Sequence, residues 1–227
     1  MTYHEGQLRI PNHELMLKFK EALASEPLGL NQSLKELKKG GFIMQDAIEE
    51  KYELINGQEV MMSPANIRHN RIQRNLSIII GNYLRGKRCE LFSETMVRFD
   101  ALNNFIPDLL IVCDRSKIKA NYIEGTPDLI VEILSPSTGK RDVGIKKNIY
   151  EHFGVREYWI VNPKDLSIEV YHLKEGRFEL DDRYIVLDEW DEEAMSEKEK
   201  KEHRLTLKVS LYDDLEIEVK EIFEDLI

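Results

Sequence analysis

The chain has 227 residues, 42% of them hydrophobic and 33% charged, which fits one ordinary domain with a substantial core. No apolar run approaches the ~20 residues of a membrane span and the first residues carry no signal-peptide apolar segment, so a cytoplasmic protein is expected. The net charge of -10 argues against a nucleic-acid partner only until it is mapped: residues 1–178 hold 25 Lys+Arg against 24 Asp+Glu, and residues 179–227 hold 7 against 18.

Residues 1–40 read as a helical extension, with apolar residues at helical spacing from Glu14 to Ala24 and a break at Gly40-Gly41. In Y-E-L-I-N-G-Q-E-V-M-M, Asn56-Gly57 stands between two apolar-rich runs, a strong short-range hairpin signal. Arg68 to Leu84 is predicted as an amphipathic helix with Ile72, Leu76, Ile79, Ile80 and Tyr83 on its apolar stripe. Cys89–Phe99 and Phe105–Val112 are predicted as two strands around a polar turn. Their cysteines, Cys89 and Cys113, read as reduced core thiols of a cytoplasmic protein rather than as a disulfide or a metal knuckle. A strand containing Glu132 follows, then a helix from about Gly139 to Phe153, then strands at Glu157–Val161 and Ser167–Leu173. The tract D-E-E-A-M-S-E-K-E-K-K-E-H-R is charged on all sides and is expected to be a solvated helix or loop. The acidic C-terminal part is expected to serve solubility or partner contact. The fold class is therefore α/β, a mixed sheet flanked by helices with an N-terminal helical extension on the domain of residues 41–227.

Glu132 interrupts L-I-V-E-I-L, a run that looks like a buried central strand. A lone carboxylate there loses several kcal/mol or more of solvation unless something compensates it. Asp108 opens D-L-L-I-V-C in a similar setting, and two such carboxylates on neighbouring strands would repel each other. A divalent cation would resolve both costs, since hard oxygens suit Mg²⁺ or Mn²⁺; a nearby Arg or Lys paired with Glu132 would resolve the desolvation alone. Lys146 lies on the next helix, with Asp142 and Tyr150 one turn either side on the same face and Ile145, Ile149 and Phe153 forming an adjacent apolar stripe. It can return its ammonium to the end of the Glu132 strand, or pair with Asp142 on the surface.

P-D-L-L-I-V-C-D, P-D-L-I-V-E-I-L-S-P-S-T, R-D-V-G-I-K-K-N-I-Y and G-V-R-E-Y-W-I-V-N-P, in that order, closely resemble the Uma2 family. These are restriction-endonuclease-like proteins of the PD-(D/E)xK nuclease superfamily. Y-E-L-I-N-G-Q-E-V-M-M-S-P and Arg68-His69 match upstream, so the resemblance covers about residues 42–190. It implies a restriction-endonuclease-like fold and Mg²⁺- or Mn²⁺-dependent hydrolysis of nucleic acid, DNA first, with a homodimer among the assemblies expected. It further implies Asp108 and Glu132 as metal-binding residues, Glu53 as a further acidic ligand, and His69 and Lys146 as catalytic residues. The superfamily pattern would place lysine at position 134, where Leu134 stands; Lys146 is the matching position on the following helix. Ser135, Ser137 and Thr138 could bind phosphate or cap the next helix. Two rival readings are a nuclease fold that binds without cleaving, and a two-carboxylate glycosidase. The lysine and the scarcity of tryptophan, with only Trp159 and Trp190, disfavour the glycosidase.

Overall fold

The computed structural model describes residues 51–135 and 142–226. The expected N-terminal helical extension lies outside them, as do Ser137 and Thr138.

Strands β1 (Tyr52–Ile55) and β2 (Gln58–Met61) form the predicted hairpin. Asn56 and Gly57 both take positive φ, 50° and 79°, as a two-residue hairpin turn requires. Helix α1 (Ile67–Leu84) is capped by Asn66, whose side chain accepts a hydrogen bond from the His69 amide at 3.0 Å. Ile72, Leu76, Ile80 and Leu84 bury one face of it. The predicted strand from Cys89 to Phe99 is two strands, β3 (Glu90–Ser93) and β4 (Val97–Arg98), parted at Glu94 with φ 43°. Its neighbour divides likewise into β5 (Asn104–Phe105) and β6 (Leu109–Val112). After β7 (Ile123–Glu124) comes β8 (Leu129–Ile133), the Glu132 strand.

The predicted single helix after β8 is a π-helical turn, Asp142–Lys146, running into helix α2 (Lys147–His152), and the chain then turns at Gly154 with φ 80°. The wider turn displaces the expected apolar stripe, leaving Ile145 48% exposed. Strands β9 (Glu157–Asn162), β10 (Ser167–Lys174) and β11 (Arg177–Ile185) follow. The charged tract forms two short helices, α3 (Glu189–Ala194) and α4 (Glu197–Glu202), the latter opened by a Ser196–Glu199 capping box. Strands β12 (Thr206–Lys208) and β13 (Glu216–Glu218) and helix α5 (Val219–Ile222) complete the chain.

The strands make a six-stranded sheet in the order β11-β10-β9-β8-β6-β3, a five-stranded sheet in the order β2-β1-β5-β4-β7, and the β12-β13 pair. In the larger sheet only β8 and β9 run parallel, so it is mixed as predicted. Alternation along β8 divides the core. Leu129, Val131 and Ile133 face α1 and the C-terminal elements, while Ile130 faces Phe105, Tyr150, Tyr158 and Ile160. The C-terminal part is more than a soluble surface, because Leu207, Val209, Leu215, Ile217, Val219, Ile222 and Phe223 are buried against the first face. No described helix is long and apolar enough to cross a membrane.

One expectation is corrected. Cys89 and Cys113 are joined by a disulfide rather than separate reduced thiols. The antiparallel register that pairs Glu90 with Val112 sets these two residues directly opposite each other, a juxtaposition that neither strand reveals alone. The argument for a cytoplasmic compartment from unpaired cysteines falls with it.

Candidate active site

The same alternation that buries Leu129 and Val131 on one face turns Glu132 to the other. In the β6–β8 register Leu109 lies opposite Val131, so Asp108 and Glu132 fall opposite each other one step further on. Directly opposed residues project from the same face of a sheet. The two carboxylates singled out in the sequence are therefore neighbours.

Each is held by a different set of donors. Asp108 Oδ2 accepts the Ile133 amide at 2.6 Å, and Oδ1 lies 3.0 Å from His69 Nε2. The main chain of Asp108 is fixed as well, its carbonyl accepting Gln73 Nε2 at 3.0 Å and the Glu94 amide at 3.2 Å. Glu132 Oε1 accepts the Tyr150 hydroxyl at 2.7 Å and Lys146 Nζ at 3.1 Å. Lys146 Nζ also lies 2.8 Å from Glu53 Oε1, which in turn accepts the Ile106 amide at 3.1 Å.

All five residues expected from the sequence thus come together. Two linked groups form, His69–Asp108 and Glu53–Lys146–Glu132–Tyr150, joined through the Ile133 amide of the Glu132 strand. Glu53, Glu132 and Lys146 are each 3% exposed, His69 5% and Asp108 9%, so the cluster is nearly closed to water. Lysine is the partner that offsets the burial of Glu132, and Lys146 reaches it from the end of the π turn. Leu134, at the superfamily's lysine position, packs with the second face of the core.

The electrostatics follow from this packing. Burial alone would depress the His69 pKa, but the hydrogen bond and charge of Asp108, with the charge of Glu94, raise it above the ordinary histidine value. Burial, and then the charges of Glu132 and Glu53, push Tyr150 well above the ordinary phenol value, so it remains a donor. Glu94 is held below the ordinary carboxylate value, chiefly by its hydrogen bond from Lys51. Among the described residues, His69 Nδ1 has no hydrogen-bond partner. Among the described residues no group of three or more His, Cys, Asp and Glu side chains is arranged to hold a metal ion.

Reading the sequence missed Gln73, Glu94 and the Ile106 amide, which act here through tertiary contacts and carry no local signal. Tyr150 had one, its i+4 spacing from Lys146.

Several known proteins resemble the chain. The uncharacterized protein slr1290 of Synechocystis sp. is 32% identical over 126 residues, covering 54% of this chain and 66% of that protein, just under two-thirds of its length. The uncharacterized protein sll1609 of the same organism is 26% identical over 132 residues, covering 56% of this chain and 75% of that one. Among solved structures, a crystal structure from Anabaena variabilis described as "a putative nuclease belonging to DUF820" shares the fold, with a TM-score of 0.61 at 21% identity. That likeness covers 79% of this chain and 93% of the other. The Uma2 family, described as "Putative restriction endonuclease", matches residues 42–199, and with the order of motifs, the mixed sheet and the paired carboxylates in place, the chain belongs to that family.

Proposed function

We propose that the chain is a metal-dependent endonuclease that hydrolyses phosphodiester bonds of nucleic acid, DNA first. The observation that carries this reading is the placement of Asp108 beside Glu132, one step beyond the β6–β8 ladder and bonded to the Ile133 amide, with the Lys146 ammonium on Glu132. Asp108 and Glu132 would hold Mg²⁺ or Mn²⁺. They offer hard oxygens on one face, and Mg²⁺ commonly takes one or two carboxylates, with water and substrate phosphate completing its shell. The chemistry such an ion supplies is polarisation of a phosphoryl oxygen and acidification of water. Lys146 offsets charge developing on the phosphate, and Glu53, expected from the resemblance as a further ligand, holds that lysine in this reading. His69 orients Asp108. DNA and a second copy of the chain are the partners this reading expects.

Nicking of supercoiled plasmid with Mg²⁺ or Mn²⁺, abolished by chelator, tests the proposal. Asp108→Asn and Glu132→Gln should each lower the rate by about 100-fold or more while the fold is kept. Purified protein that cleaves neither DNA nor RNA with either metal would overturn it. That result would favour the second reading, a nuclease fold that binds without cutting. One observation speaks for that alternative: the Lys146 ammonium already pairs with both Glu53 and Glu132, offsetting one of their two charges without a metal ion.

A further inference from the structure

We infer that Tyr150 is a positioning residue of this site, acting through Glu132. The inference rests on the nuclease reading above. Tyr150 is fully buried in α2, and its hydroxyl donates to Glu132 Oε1 at 2.7 Å. A buried tyrosine hydroxyl needs some acceptor, so one hydrogen bond would by itself be ordinary packing.

Two further observations give it a role. The first is convergence. Lys146 and Tyr150, one helical turn apart across the junction of the π turn and α2, both donate to the same oxygen of Glu132. Two donors on one carboxylate oxygen fix the rotation of the carboxylate and hence the direction of its remaining oxygen. The ammonium itself is shared between Glu132, at 3.1 Å, and Glu53, at 2.8 Å. The phenol holds Glu132 from a rigid ring, where the lysine reaches it on a flexible chain.

The second is the rigidity of the tyrosine ring. It lies edge-on to Phe105 and to Tyr158, at 5.4 and 5.3 Å between ring centroids, and is tilted against Phe99 at 5.6 Å. Phe105 precedes Ile106, whose amide holds Glu53, and its ring lies 5.9 Å from Lys146 Nζ. One aromatic wall therefore fixes the donor on Glu132 and the amide on Glu53 together. Groups that orient a metal-binding carboxylate commonly alter affinity or activity by about 10- to 100-fold when removed.

Tyr150→Phe keeps the ring and removes the donor. The expected result is a kcat for plasmid nicking lower by roughly 10- to 100-fold, with KM for DNA within about twofold and Mn²⁺ affinity by calorimetry lower by roughly tenfold. Replacing Tyr150 with 4-aminophenylalanine, which restores a donor on the same ring, should recover most of both. Tyr83→Phe, which removes a hydroxyl bonded to Asp214 away from the site, should leave both unchanged. Cooperative thermal unfolding verifies that each variant is folded. A folded Tyr150→Phe protein with wild-type kcat and wild-type Mn²⁺ affinity would overturn the inference while leaving the nuclease reading intact. So would a loss that 4-aminophenylalanine fails to recover. Wild-type protein that neither binds Mn²⁺ nor cleaves would overturn both.

Discussion

Replacing Lys146 with methionine would remove the ammonium that bridges two buried carboxylates and leave most of the side-chain volume. At 2.8 Å from Glu53 and 3.1 Å from Glu132, and with an effective dielectric constant of about 20, the two attractions are about 6 and 5 kcal/mol before desolvation is counted. Most of that gross attraction offsets the cost of burying three charges. Removing one partner of such a cluster costs about 3–5 kcal/mol, because the remaining charges stay buried and uncompensated. Urea or guanidinium unfolding of Lys146→Met should show a loss of that size in chelator. Lys147→Met, whose ammonium is half-buried over the Tyr171 ring at 3.3 Å, should lose about 1 kcal/mol. Mn²⁺ should restore part of the Lys146→Met loss if an ion can replace the ammonium. A Lys146→Met protein within about 1 kcal/mol of wild type at neutral pH would refute the buried ion cluster.

Three further outcomes are expected. Nicking by Lys146→Ala should be slower by roughly two orders of magnitude or more, with Lys147→Ala mild, as measured in single-turnover assays; equal rates would remove Lys146 from the chemistry. His172 has its pKa raised by Glu157, against the effect of burial, and by the charge of Asp181, with Lys174 opposing. Its stabilisation is therefore fully present below the unfolded value of about 6.5 and is lost as pH rises through the folded value. Unfolding curves for wild type and His172→Gln should accordingly diverge more in mildly acidic than in alkaline buffer, and a constant gap would contradict this. Reducing the Cys89–Cys113 disulfide, whose cysteines are 24 residues apart, should lower stability by about 3 kcal/mol, read as a fall in Tm with dithiothreitol.

The parts of the fold legible in the sequence are those written by local patterns. Asn56-Gly57 specifies its turn, the 3.6-residue period from Ile72 to Leu84 specifies α1, and L-I-V-E-I-L exposes its carboxylate by contrast. The pairing of Asp108 with Glu132 needed only the strand assignment and a register. What the sequence hid depended on tertiary partners. The π turn before Lys147 has no composition of its own, and it re-aimed Ile145 into solvent. Strand β11 carries R-F-E-L-D-D-R-Y-I with one face largely exposed at the sheet's edge, so it lacks the apolar density of a central strand. Gln73 and Glu94 gained their places at the site only because α1 and the end of β3 meet the main chain of Asp108.

The family match ends at residue 199, yet the layer that seals one face of the six-stranded sheet is built from residues 205–224. Glu157, fully buried on β9, accepts the Trp159 indole and reaches out to the Ser210 amide at 2.9 Å, and Asn75 of α1 donates to the carbonyls of Ile222 and Glu224. The evolutionary boundary and the folding boundary therefore do not coincide. A polypeptide trimmed to the shared family segment would uncover Ile72, Leu76 and Trp159 and leave Glu157 without its serine donors. It would aggregate for lack of a lid, even with every residue of the candidate site retained.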